Sequence, residues 1–171
     1  MKKIYQLQSL LNIILWFSML IISLAVLSAI VAVMMQDSTS LNLSLRGHNL
    51  EKVDAALGIL LALMLFGYVL FIWALYQLKQ LLGLFVERKF FTPEVVATLK
   101  KTGWLLLYAA ALLYIPPYIY DTVVEANLNI SLSSVNPESF FFLIIISLFF
   151  VTLSYIFEEA IKLKEENELT V

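Results

Sequence analysis

The residues best placed to do chemistry are charges gathered at two points. Glu87, Arg88 and Lys89 interrupt the middle of the chain, and Glu165, Glu166 and Glu168 crowd its end. A run of carboxylates resembles a phosphate backbone in charge, so it could attract a basic DNA-binding surface and compete with DNA for it. These six are the candidate partner-binding residues. A plainer role for the tail's glutamates, Glu158 and Glu159 included, is to keep it in water. Elsewhere the inventory excludes more than it offers. The absence of cysteine removes disulfides, thiol catalysis and thiolate metal sites. His48 is the single histidine, in LRGHNLEKVD. Its imidazole could sense pH near an ordinary pKa of ~6.5, but a lone loop histidine is usually just solvated, and no ligand partners are spaced around it. No acid–base pair, nucleophile motif, metal cluster or cofactor pattern is present in the sequence. No catalytic, cofactor-binding or metal residue is therefore assigned, and the expectation is a protein that is not an enzyme.

The elements that must position those charges are membrane helices. Of 171 residues 61% are hydrophobic, against about 45–50% in a soluble domain. A net charge of −2 gives no reason to expect direct nucleic-acid binding. Four stretches lack Asp, Glu, Lys and Arg for the length of a bilayer crossing: 10–35, 55–78, 103–120 and 139–157. The first exceeds the apolar run of a cleaved signal peptide and is expected to be a retained helix. The expectation is a single all-α membrane domain over 1–171. External loops span 36–54 and 121–138, a cytoplasmic loop 79–102 and a cytoplasmic tail 158–171.

Sidedness follows from where the bases lie. Lys2, Lys3, Lys79, Arg88, Lys89, Lys100, Lys101, Lys162 and Lys164 fall in the termini and middle loop, whereas only Arg46 and Lys52 fall in the other two loops. Nine against two places both termini and the middle loop in the cytoplasm.

The two external loops contain near-copies, LNLSL at Leu41–Leu45 and LNISL at Leu128–Leu132. Alternation of apolar and polar residues is the period of a half-buried strand. An offset of 128 − 41 = 87 residues also lays the first crossing over the third and the second over the fourth. The chain can thus be two tandem helix, strand, helix hairpins sharing a small external two-stranded β element. Chance similarity between low-diversity loops is the alternative.

No Asp, Glu, Lys, Arg or His lies within a crossing, which argues against a pump, proton-coupled carrier or channel. Asn12, Ser18, Ser23, Ser28, Thr152 and Ser154 are expected to bond within or between helices. Ala25 with Ala29 and Gly58 with Ala62 have the spacing of close helix packing. Pro116 and Pro117 are expected to end or kink the third helix. Thr92, Pro93 and Glu94 form a helix start with the threonine hydroxyl as cap. Val95, Val96 and Leu99 then share a side, as in an interfacial helix lying on lipid. In the tail, Glu158 with Lys162 and Lys164 with Glu168 are spaced to pair.

The stretches FVERKFFTPEVVATLKKTGW and EEAIKLKEENELTV resemble the two recurring signatures of a bacterial family of small four-helix membrane proteins, domain-of-unknown-function family 2975. The resemblance implies an inner-membrane protein with no established activity, and no catalytic residue is carried over from it. It also implies a gene that in many relatives neighbours a small helix-turn-helix regulator of the Cro type, a candidate cytoplasmic partner beside the lipid bilayer. Two function classes remain: a non-enzymatic membrane regulator or sensor acting on a cytoplasmic partner, and a small-molecule or lipid permease or its accessory subunit. Either is compatible with a homo-oligomer.

Overall fold

Charge-free apolar runs become helices because lipid offers no partner to a free backbone N–H or C=O. In the computed structural model each such run falls in a longer helix, save that residue 35, at the end of the first run, lies outside the described residues. The structure describes residues 2–34, 44–45, 48–49, 55–123 and 137–169. Helix α1 is Lys2–Met34, α2 Ala55–Val86, α3 Pro93–Val123 and α4 Pro137–Leu169. At ~1.5 Å per residue each is roughly 45–50 Å long, against a hydrocarbon core of ~30 Å. All four are long and apolar enough to cross a membrane, so the protein is a multi-pass, all-helical membrane protein whose helices are longer than the hydrocarbon core is thick. Prolines open α3 and α4, with Glu94 and Glu138 in the first turns, where a carboxylate faces the positive end of the helix dipole. Pro116 and Pro117 do not end α3, which runs through both to Val123.

The helices pack in series. Among the described residues α1 meets only α2, α2 meets α3, and α3 meets α4. Consecutive helices therefore do pair, as tandem hairpins require. A two-fold axis relating the hairpins would, however, map the α2–α3 interface onto α4–α1, and among the described residues α1 and α4 do not meet. Among described side chains α1 buries only Leu11.

Helix α3 is the centre. Its buried Val95, Leu99, Thr102, Leu106 and Ala109 recur in steps of four and three, the spacing of a packed helical seam. A second row runs through Gly103, Ala110 and Pro117. At Gly103 the backbones come very close: an added Cβ would stand 2.6 Å from Val151 Cγ2, 2.8 Å from the Ser147 carbonyl oxygen and 3.0 Å from the Val151 nitrogen. Gly67 meets Leu112 and Leu113 in a similar but looser way. The small-residue pairs expected to mediate packing do not do so where they can be checked. Gly58 has nothing within 4 Å of its notional Cβ, and Ala62 is exposed; the side chains of Ala25 and Ala29 lie outside the described residues.

Five hydroxyls within the helices bond to carbonyls of their own helix, as lipid demands. Ser18 donates to the Leu15 carbonyl, Ser23 to Leu20 and Ser154 to Val151. Thr102 and Ser147, both fully buried, donate to Thr98 (2.8 Å) and Leu143 (2.5 Å).

The expected external β element has no support among the described residues. Ser44–Leu45 pairs antiparallel with His48–Asn49, Ser44 opposite Asn49 and Leu45 opposite His48. This two-residue pairing is local to the first loop. Leu41, Asn42, Leu43 and all of Leu128–Leu132 lie outside the described residues.

Candidate functional site

The six candidate residues sit at one end of the helices, three in the turn between α2 and α3 and three on the last turns of α4. The turn is built by helix termination. The Lys89 N–H donates to the Leu84 carbonyl (3.0 Å) and the Arg88 N–H to Phe85 (3.2 Å), with Arg88 at φ 61°. Those two bonds and the left-handed residue make a Schellman stop, a position that favours glycine. Arginine there costs roughly 1 kcal/mol of backbone strain. Arg88→Gly is therefore expected to raise unfolding stability by about 1 kcal/mol, read as a higher midpoint in a denaturant titration of the purified protein. An unchanged or lower midpoint would mean that the guanidinium contributes more than its backbone costs.

Lys89 pairs with Glu87 at 2.8 Å, both side chains exposed. That hydrogen bond and the carboxylate's charge hold the Lys89 ammonium above its usual range. Thr92 stands at the cap position of α3, its carbonyl accepting from the Val95 N–H (3.0 Å) and the Val96 N–H (3.4 Å). Its hydroxyl does not cap. The oxygen is buried and without a partner, and rings hold the turn instead. Phe90 meets Phe85 at 5.5 Å and Phe91 stacks on Phe157 of α4 at 5.8 Å between centroids.

Behind the turn lies a protein core where lipid contact was expected. Val95 and Leu99 are completely buried with Leu81, and Phe85, Phe150 and Phe157 pack around them. The start of α3 is thus clamped between α2 and α4. An amphipathic helix on lipid and one on neighbouring helices have the same sequence period, and the available apolar neighbours decide between them.

On α4, residues 162–168 are all exposed. Lys162 pairs with Glu159 (2.9 Å) instead of Glu158, a spacing of three instead of four, while Lys164 lies 3.7 Å from Glu168 as expected. The Glu159 carboxylate raises the Lys162 ammonium above its usual range. No ion pair among the described residues links Glu87, Arg88 or Lys89 to Glu165 or Glu168. What joins turn to tail is apolar: Phe91 shares an open groove with Ala160, Leu163, Lys164, Asn167 and Glu168. Phe91 is 53% exposed and Leu163 58%. The charge-based selection passed over both. The available signal was an FF doublet and a single leucine set among charged residues. Among the described residues no three His, Cys, Asp or Glu side chains are grouped to hold a metal.

The family model described as a protein of unknown function (DUF2975) matches residues 36–171, that is, everything after α1. Neither the curated proteins nor the solved structures contain a match.

Proposed function

The chain belongs to the DUF2975 family of proteins of unknown function, and on that premise we propose that it is a non-enzymatic regulator in a bacterial cytoplasmic membrane. In this reading both termini face the cytoplasm, which the nine-to-two distribution of bases supports. The end bearing the α2–α3 turn and the α4 tail then holds a soluble partner. The observation that carries the proposal is Leu163 exposed beside Phe91 beyond the charge-free spans. Inside a bilayer such exposure is ordinary; in water it marks a docking surface. Glu168 borders this groove, and Glu165 stands on the same exposed last turns of α4 with no ion pair among the described residues. The partner that fits has a basic face with an apolar contact at its centre, as a small helix-turn-helix protein does. Binding there would withhold the partner from DNA, and the chain itself would touch no nucleic acid.

Co-purification of the full chain from its native membrane, wild type against Leu163→Glu, tests this. The wild type should retain a helix-turn-helix protein, and Leu163→Glu should lose it and alter transcription from that protein's promoters. Retention should also fall as salt rises from about 0.1 M to about 1 M, because the screening length drops from ~10 to ~3 Å. Solute or lipid flux through reconstituted liposomes, with no regulator retained, would favour a permease instead.

Orientation has its own check. In this cysteine-free chain, Ser44→Cys and Ser131→Cys should react with an impermeant maleimide in intact cells, and Glu165→Cys only after permeabilisation. The opposite pattern would invert the assignment.

A further inference from the structure

A second feature lies on the seam between α2 and α3. Gln77 of α2 is only 6% exposed, a primary amide nearly enclosed by the helices. With its oxygen turned toward the two nearby donors, that oxygen accepts from Trp73 Nε1 (3.3 Å) and Lys101 Nζ (3.1 Å), and the amide nitrogen donates to Gln80 Oε1 (3.0 Å). The Lys101 ammonium also lies 5.1 Å from the centre of the Trp73 ring. It is thus fixed from two sides, by the π-face of the indole and by a buried carbonyl oxygen. An ammonium has three N–H bonds, and Gln77 takes one. No carboxylate among the described residues pairs with Lys101. A positioned cation with donors to spare and no counter-charge is half of an anion site.

The surroundings say which anion. Trp73 and Tyr76 are each 47% exposed, the placement of aromatic side chains at a membrane–water boundary. From Trp73, Val69 and Phe66 continue along the same face of α2 at steps of four and three, each more than half exposed. One face therefore offers apolar cover for an acyl chain and, at its end, a fixed cation for a headgroup. From this juxtaposition we infer that the α2–α3 seam at Lys101, Gln77 and Trp73 is a binding site for the phosphate of an anionic phospholipid. The phosphate accepts from the free N–H bonds of Lys101, and its chain lies along Val69 and Phe66.

The test uses Trp73 as reporter, in the full-length protein carrying Trp16→Phe and Trp104→Phe, reconstituted in phosphatidylcholine bilayers. A fixed fraction of lipid is replaced by phosphatidylglycerol or phosphatidylcholine with brominated chains, which quench a neighbouring indole. Brominated phosphatidylglycerol should win the site over brominated phosphatidylcholine by about fivefold, the preference one basic residue near an anionic surface confers. Lys101→Gln should bring the ratio close to one, whereas Lys164→Gln, in the tail, should leave it unchanged. Equal quenching by the two lipids in the Lys101 protein would overturn the site without recourse to any further variant. So would loss of the preference in excess inorganic phosphate, which would make the site one for free anions and not for lipid.

Discussion

Replacing Gly103 by alanine is expected to lower the stability of the folded protein by about 3 kcal/mol, toward the upper end of the range for overpacking a well-packed core. The added methyl would meet Val151 Cγ2 at 2.6 Å, and a side-chain rotation could relieve that contact alone. It would also meet the Ser147 carbonyl oxygen at 2.8 Å and the Val151 nitrogen at 3.0 Å, and these are backbone atoms that move only if α4 moves. Because α4 packs on α3 and on no other helix among the described residues, moving α4 opens the one helix interface that holds it. Valine at the same position should separate the two helices. Gly58→Ala is the matched control: nothing lies within 4 Å of its notional Cβ, so stability should be unchanged or rise by up to about 1 kcal/mol through helix propensity. Unfolding in mixed micelles, followed by circular dichroism, measures both. Equal effects at the two glycines would refute the close α3–α4 approach.

Leu99→Ala is the second large effect, about 2–5 kcal/mol as for truncation of a buried leucine. Leu99 is wholly enclosed with Val95 and Leu81 and bordered by Phe85 and Phe157. Its loss leaves a cavity between α2, α3 and α4 at the end that carries the candidate site. Were the start of α3 lying on lipid, acyl chains would fill the gap and little more than the transfer energy of the lost carbons would disappear. The site should respond as well. Phe91 reaches the groove through its stack on Phe157, and Phe157 borders the same core. Limited proteolysis of the α2–α3 turn should therefore accelerate in Leu99→Ala and stay slow in Val96→Ala, whose side chain is less buried. Similar rates in the two variants would mean that the turn does not depend on that core.

How far the fold could be read in the sequence depends on what hydropathy encodes. Four charge-free runs gave four helices, because a bilayer imposes length and apolarity directly on the chain. Helix ends were unevenly legible: the four-residue charge spacing of the tail already carries α4 past Glu158, and it runs to Leu169, whereas nothing marked the continuation of α2 past Lys79 to Val86, since charge marks where the bilayer stops and not where a helix does. Packing faces were the least legible. In a chain apolar on every side, the exposed Phe141 and Ile145 look like core residues, and only small side chains distinguish a seam. The spacing rule sought two small residues on one helix. Gly103 instead meets Ser147 and Val151 of another, a pairing invisible without the fold. The charged half of the candidate site was legible as composition. Its apolar half, Phe91 with Leu163, emerges only when α4 is laid against the turn.

The central claim, that the end bearing Phe91 and Leu163 docks a cytoplasmic regulator, is tested most directly by a photo-crosslinking amino acid placed at position 163 in living cells. A single adduct with a soluble helix-turn-helix protein is the predicted result. The same probe at position 145, an exposed isoleucine within the fourth charge-free run, should capture lipid and no such protein. Absence of a protein adduct at 163, or the same products at both positions, would contradict the account.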